Sequence, residues 1–219
     1  MAPTVFLDMN ETLLDLSALD PLFAGAFGDA GARKQWFGLM LQLALTHTVL
    51  GQYQDFSVLG REALAALGQA RAQAVPEGLP AQVTATMKAL PPHPDTLAFL
   101  QALKDGGARL YPLTNNRQDV LDAQVQSAGL GHLIERAVSV DPGGVLKPGR
   151  AAYEYGLKQI GAPAAEVWLV AAHGWDISGA KAAGLRTAFV ERPGQAQNPL
   201  LRADVSGPLA DLVAPILER

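Results

Sequence analysis

Val5-Phe6-Leu7-Asp8-Met9-Asn10-Glu11-Thr12-Leu13 begins as an uninterrupted apolar run and turns polar at Asp8. Such a run reads as a buried strand that breaks into a loop, and it delivers a carboxylate at the strand end. In a doubly wound α/β sheet the chemistry sits at that place, outside the carboxyl ends of the strands. Alone, an Asp there also suits the cap of a turn or helix, so the rest of the chain must decide.

From Leu14 to Leu90 strand-like alternation is nearly absent. Apolar residues instead recur at helical spacing, as in Leu39, Leu43 and Leu50 and again in Leu59, Ala63, Leu64 and Leu67. Gly51, Gly60, Gly68, Pro76, Gly78 and Pro80 punctuate this region and split it into four or five expected helices. After Pro91 the texture changes. Pro91-Pro92-His93-Pro94-Asp95 reads as a loop entering a helix capped by Asp95, and short β runs then alternate with helical stretches. Expected strands are 109–114, 136–140, 167–172, 187–190 and 203–205. This βαβ alternation specifies a parallel sheet, and the first strand must join it because helices alone would not cover Val5-Phe6-Leu7. The expected fold is therefore an α/β core of residues 1–14 and 91–219, a doubly wound parallel sheet, with residues 15–90 inserted as an all-helical cap.

At 219 residues and 49% hydrophobic content the chain can bury a full core. A net charge of -4 and the lack of any long basic run argue against nucleic acid as a partner. No cysteine occurs, which removes disulfides, thiolate metal sites and a cysteine nucleophile. Met1-Ala2-Pro3-Thr4 has no basic region ahead of an apolar stretch, and the most apolar helical segment, 39–50, is interrupted by Gln42, Thr46 and His47. A cytoplasmic protein without a membrane segment is expected, acting on a small molecule, with a homodimer left open.

Three further strand ends carry chemistry. Leu113-Thr114-Asn115-Asn116 puts a hydroxyl and amides where the first strand puts Asp8. Val145-Leu146-Lys147-Pro148 offers an ammonium ahead of a helix, with Tyr153 following, and the proline suits the first helical turn. Val167 to Ala172 is a very apolar strand that ends in His173-Gly174-Trp175-Asp176 and runs into Ile177-Ser178-Gly179-Ala180. Each piece has an ordinary reading: a polar turn, a solvated lysine, an N-cap Asp on a helix starting near Ile177, and a His hydrogen-bonded within a turn.

In their order, Asp-x-x-x-Thr, Thr-Asn, Lys-Pro and an apolar strand followed by Asp resemble the four motifs of the haloacid dehalogenase superfamily, across nearly the whole chain. The all-helical segment after the first motif and the Lys147–Tyr153 spacing most resemble the L-2-haloacid dehalogenase (type II) branch. That resemblance implies a Rossmann-like core and a covalent mechanism. Asp8 would attack C2 of an (S)-2-haloacid from the side opposite the halide, giving an ester that water hydrolyses with net inversion. It further implies that Lys147 keeps Asp8 ionised, that Thr12, Thr114 and Asn115 orient the nucleophile or bind the substrate carboxylate, and that Tyr153 and Asp176 place Lys147 and the hydrolytic water. No cofactor is implied. Superfamily phosphatases hold Mg²⁺ through the residue two positions after the nucleophile and an acid in the last motif. Here those positions are Asn10 and Ala172, which disfavours the metal-dependent reading.

Two departures bear on the substrate site. Where the branch has an aromatic residue this chain has Asn10, and counting back from Tyr53-Gln54-Asp55-Phe56 the halide-receiving Arg falls on Phe37. Arg33, one turn earlier, is the candidate replacement. The last motif carries Ala171 and His173, next to Trp175, where the branch has Ser and Asn, so His173 is a candidate base. The alternatives are a related hydrolase acting on another small carboxylate or phosphate ester, with Mg²⁺ only in the phosphatase case, and a silent binding protein with the same fold.

Overall fold

The computed structural model describes residues 2–218; Met1 and Arg219, the outer limits of the expected core, lie outside them. Six strands form one parallel sheet: β1 (Thr4–Leu7), β2 (Arg109–Thr114), β3 (Val138–Ser139), β4 (Val167–Ala171), β5 (Arg186–Val190) and β6 (Val205–Gly207), in the order β3-β2-β1-β4-β5-β6. The strand order reverses beside β1, between β2 and β4. That is the switch point at which an open α/β sheet leaves a crevice for a ligand. Asp8 is the first residue past β1, at that point.

The sheet is covered on both faces. Val5 and Leu7 share one cluster with α5 (Thr96–Asp105), α6 (Gln118–Ser127) and α9 (Leu209–Leu217), whereas Phe6 joins Tyr111, Leu113 and Leu169 against α7 (Arg150–Ile160) and α8 (Gly174–Ala182). This explains why β1 shows no polar alternation: each side chain, whichever way it points, meets a helical layer. Each buried Leu, Phe or Val here contributes on the order of 1.5–3 kcal/mol of transfer free energy.

Between β1 and α5 lie a short 3-10 turn (Leu16–Leu19) and four helices, α1 (Asp20–Phe27), α2 (Ala32–Leu50), α3 (Phe56–Arg71) and α4 (Leu79–Lys88). The chain leaves and re-enters the sheet layer side by side, since Asp15 N–H donates to Pro91 O at 2.8 Å and His93 N–H to Leu13 O at 2.9 Å. Gly60 and Gly68 do not break a helix as expected but lie within α3. A Cβ on Gly60 would stand 3.3 Å from Met40 Sδ, and the Trp36 indole N–H donates to Gly60 O at 2.8 Å, so that glycine serves close helix packing. No helix among the described residues is long and apolar enough to cross a membrane.

The strand bounds of β2 match the sequence expectation. The expected 136–140 strand shrinks to two residues, with the Arg136 guanidinium drawn to Gln159 O, and the last strand shifts from 203–205 to Val205–Gly207, as Ala203 N–H is taken by the Gln197 side chain. Asp95 stands at the N-cap position of α5 but makes no side-chain cap bond; its carboxylate instead receives two 2.8 Å hydrogen bonds from Arg192. Arg192 also donates to Thr12 O at 2.9 Å, which ties the loop after β1 to the far side of β5.

Candidate active site

Three neighbouring strand ends bring the expected residues together. Asp8 follows β1, Thr114 ends β2, and His173 follows β4 by two residues. All three line a small, tight cavity whose other walls include Asn10, Phe37, Phe56, Asn115, Lys147 and Trp175. Lys147 arrives from the loop before α7 and is essentially buried, at 1% exposure. Its ammonium has three N–H donors and spends all of them: on Asp8 Oδ1 at 2.9 Å, Asp176 Oδ2 at 2.6 Å and Leu113 O at 2.9 Å. Asp8 Oδ2 accepts from the Thr12 hydroxyl at 2.7 Å, and that hydroxyl oxygen accepts from Ala172 N–H at 2.9 Å. The nucleophile candidate is therefore held from two sides, by an ammonium and by a hydroxyl fixed to β4.

Burial raises the Asp8 carboxyl, but the charges of Lys147 and His173 and the hydrogen bond from Thr12 outweigh it and hold Asp8 well below the ordinary carboxylate range. Asp176 competes for the same ammonium. Complete burial lifts its carboxyl, the Lys147 charge opposes this, the Asp8 charge adds to it, and the net shift is upward. Of the two acids that share Lys147, Asp8 is thus the more acidic. Burial also disfavours a charged Lys147, yet its two carboxylate partners raise it above its normal value.

Asp176 does not cap a helix that starts near Ile177. The helix α8 begins at Gly174, which places Asp176 in its first turn, and the carboxylate turns inward to Lys147 and to the Tyr153 hydroxyl, which donates at 2.6 Å. Tyr153 is fully buried behind Lys147 and away from the cavity wall, so it supports the ammonium's partner and does not face a ligand. Pro148 lies ahead of α7, not in its first turn. Asn115 clamps the Lys147 backbone at both ends of its amide, at 2.7 and 3.1 Å. Asn10 lines the cavity but shares its amide with Asn116 and with Gln124, which donates to Asn10 Oδ1 at 3.1 Å.

The cap-side expectations change. Phe37 lines the cavity, whereas Arg33 lines the adjoining cleft, which shares Phe37, His173 and Trp175 with it. The Arg33 guanidinium, one turn before Phe37 on α2, is buried and committed to two carboxylates, Asp20 at 2.5 Å and Glu11 at 2.9 Å. His173 does not stand as a free base either. Its Nε2 is 2.9 Å from Glu11 Oε2 and its Nδ1 is 3.4 Å from Asp8 Oδ2. Burial lowers a histidine, but here hydrogen bonding and charge from Asp8 and Glu11 win and push His173 up to about 9, so the imidazole is a cation at neutral pH.

Glu11 is the residue that sequence reasoning passed over. It sits at φ 60 in a tight turn where Leu13 N–H and Leu14 N–H both donate to Met9 O, at 3.0 and 2.9 Å. A non-glycine residue in the left-handed region costs about 1 kcal/mol or more, and it persists where the surroundings hold it. Here Arg33, His173 and Gln195 converge on its carboxylate. Its position inside the Asp8-to-Thr12 motif was the available signal, but its partners lie far away in sequence.

A family profile described as haloacid dehalogenase-like hydrolase matches residues 2–184. The chain belongs to this family. The (S)-2-haloacid dehalogenase of Xanthobacter autotrophicus is 30% identical over 214 residues, 97% of this chain and 83% of the relative. Haloacetate dehalogenase H-2 of Moraxella sp. (strain B) is 28% identical over 215 residues, 96% of this chain and 92% of that one. The L-2-haloacid dehalogenase of Xanthobacter autotrophicus, solved with chloropropionic acid covalently bound, matches with a TM-score of 0.90 at 24% identity, over 100% of this chain and 99% of that one; this likeness establishes the fold.

In this haloacid dehalogenase-like hydrolase the donors near Asp8 do not suit Mg²⁺. Asp8 is already bonded through both oxygens, the Asn10 amide is engaged elsewhere, and Ala172 supplies no side-chain oxygen. Among the described residues, no group of three or more His, Cys, Asp or Glu is placed to hold a metal.

Gly179 shows how tightly the Lys147 support is packed. A Cβ there would meet Pro148 O at 2.6 Å and the Tyr153 hydroxyl at 2.7 Å. Gly179→Ala should destabilise the protein by roughly 1–3 kcal/mol, as overpacking does, and push Tyr153 off Asp176. Urea unfolding checks the stability, and an unchanged midpoint would show that α8 can shift away.

Proposed function

We propose that this hydrolase is an (S)-2-haloacid dehalogenase that works through an aspartyl ester on Asp8. The observation that carries the reading is the ionised Asp8 carboxylate facing a small cavity, with Lys147 and Thr12 holding its two oxygens. A carboxylate kept charged and partly dry is a ready nucleophile for a carbon bearing a leaving group, and it divides one displacement into two easier steps. In the first step an Asp8 oxygen bonds to C2 while the carbon–halogen bond breaks and halide departs with the electron pair. In the second, water adds to the Asp8 carbonyl and the ester bond to the substrate oxygen breaks, releasing the 2-hydroxy acid and restoring the carboxylate. The names of the 30% and 28% identical relatives support the same substrate class.

In this reading residues 15–90 are a helical cap that closes the cavity through Phe37 and Phe56. Asp176 and Tyr153 keep Lys147 in place, and Thr114 and Asn115 border the substrate. The substrate is a small carboxylic acid, and no metal takes part. Incubation of the protein with (S)-2-chloropropionate in the presence of EDTA should release chloride and (R)-lactate. Absence of halide release from both chloro and bromo acids would overturn the reading. One observation favours a second one, hydrolysis of another small carboxylate ester: the uncharged Phe37 lines the cavity and Arg33 is paired elsewhere. An ester panel run beside the haloacids separates the two.

A further inference from the structure

Two buried N–H groups on the wall of the Asp8 cavity are poorly satisfied. Nε1 of Trp175 makes no hydrogen bond, and Nδ1 of His173 has only a long 3.4 Å contact with Asp8 Oδ2; both residues line the cavity. Their rings stack, with centroids 5.2 Å apart and planes at 24°, so the two donors belong to one rigid unit. A buried donor without an acceptor costs on the order of 1–3 kcal/mol. One unpaired donor and one weakly paired donor beside a reactive carboxylate therefore call for a further acceptor that arrives from outside.

Charge points the same way. An anionic substrate entering beside ionised Asp8 meets like-charge repulsion in a site of low polarity, and a cation must offset it. The Lys147 ammonium has no N–H left to give, and Arg33 is closed off by Glu11 and Asp20. His173 is the remaining cation on the cavity wall. With Nε2 bonded to Glu11, a neutral ring would turn a bare Nδ1 lone pair toward Asp8 Oδ2 at 3.4 Å, and two acceptors facing each other are unfavourable; protonation at both nitrogens removes the conflict.

We propose that His173 Nδ1–H and Trp175 Nε1–H form the seat for a small monoanionic group in the Asp8 cavity, and that Glu11 is the positioning residue that keeps His173 oriented and charged. The anion is either the substrate carboxylate or the departing halide, and its identity rests on the dehalogenase reading; the seat itself does not. The ionisable groups that bear on His173 are Asp8 from the end of β1, Glu11 from the following turn, Lys147 across the cavity, and Arg33 of α2 acting through Glu11. From α2 the ring also meets Phe37, at a centroid distance of 5.8 Å. Gln195, from the segment after β5, donates to Glu11 at 2.7 Å and helps hold it. The missing cap cation is thus replaced from the core side of the cavity.

The test is an NMR titration of ¹⁵N-histidine-labelled protein with sodium bromide in one arm and sodium propionate in the other. The expected result is a saturable shift of the His173 Nδ1 signal in at least one arm. Bromide alone identifies a leaving-group seat, propionate alone a carboxylate seat, and both a shared one. Trp175→Phe should weaken the responding anion about tenfold, and Glu11→Gln should lower the His173 pKa measured in the same spectra, a readout that a purely structural role would leave unchanged. If neither anion shifts His173 in the unmodified protein, or if both variants bind and titrate as it does, the seat does not exist. Saturable binding in a protein that releases no halide from any 2-haloacid would keep the seat and remove the dehalogenase reading. Halide release without any His173 response would do the reverse.

Discussion

Asp8→Asn should lower turnover by on the order of 10,000-fold or more, the scale expected when a covalent nucleophile is removed. The substitution keeps the shape of the side chain and its bond to Thr12, so folding should survive and the melting curve should stay cooperative. The loss would therefore be chemical. The complementary measurement is single turnover in ¹⁸O-water: label should appear in Asp8 before it appears in the hydroxy acid, because water attacks the ester at the Asp8 carbonyl. Label that enters product directly would mean that water attacks C2 itself, and the covalent route would be abandoned.

Lys147→Ala is expected to damage both activity and stability. It leaves Asp8 and Asp176, which are 5% and 0% exposed, without the ammonium they share. Removing one member of a buried ion pair costs about 3–5 kcal/mol, mostly through the charge left behind. The pH dependence should change as well. In the unmodified protein burial raises Asp8 but Lys147, His173 and Thr12 hold it below the ordinary aspartate value of 3.8. That stability is fully present above the ordinary carboxylate range and is lost only as pH falls through the lowered value. Without Lys147, burial and the neighbouring acid dominate, so at least one of the two carboxyls should titrate above the ordinary range. The variant should then gain more stability than the parent as pH falls from 7 toward 5. Urea midpoints across that range decide the matter, and a parallel pH profile for the two proteins would count against the shared-ammonium account.

The fold was legible because β1 and β4 are apolar on both faces, a pattern that only a sheet sandwiched between helical layers satisfies. Boundaries were less so. Gly60 and Gly68 read as breakers, yet each sits in a helix where a neighbouring element approaches closely. At the site, Asp8, Thr12, Lys147 and Asp176 could be picked out because each sits at a strand end or just beyond a turn, where side-chain type and position carry the message together. The roles of Arg33 and His173 were not legible. Both depend on Glu11, which pairs with residues 22 and 162 positions away, and on a backbone angle that an ordinary Glu codon does not announce.

The doorway formed by Leu13, Asp15, Pro91 and His93 has a consequence for how the molecule can be altered. Because the two crossing segments are pinned to each other by the backbone, whatever lies between them is closed off as a loop whose ends the sheet already holds together. A short turn joining Leu14 to Pro91 would remove Arg33, Phe37 and Phe56, yet every strand and the Asp8, Lys147, Asp176 and Tyr153 contacts would keep their partners. Under the proposed function, reactivity and selectivity would thus lie on separable lengths of chain. A different helical passenger grafted through the same doorway would meet the same nucleophile with a different set of walls.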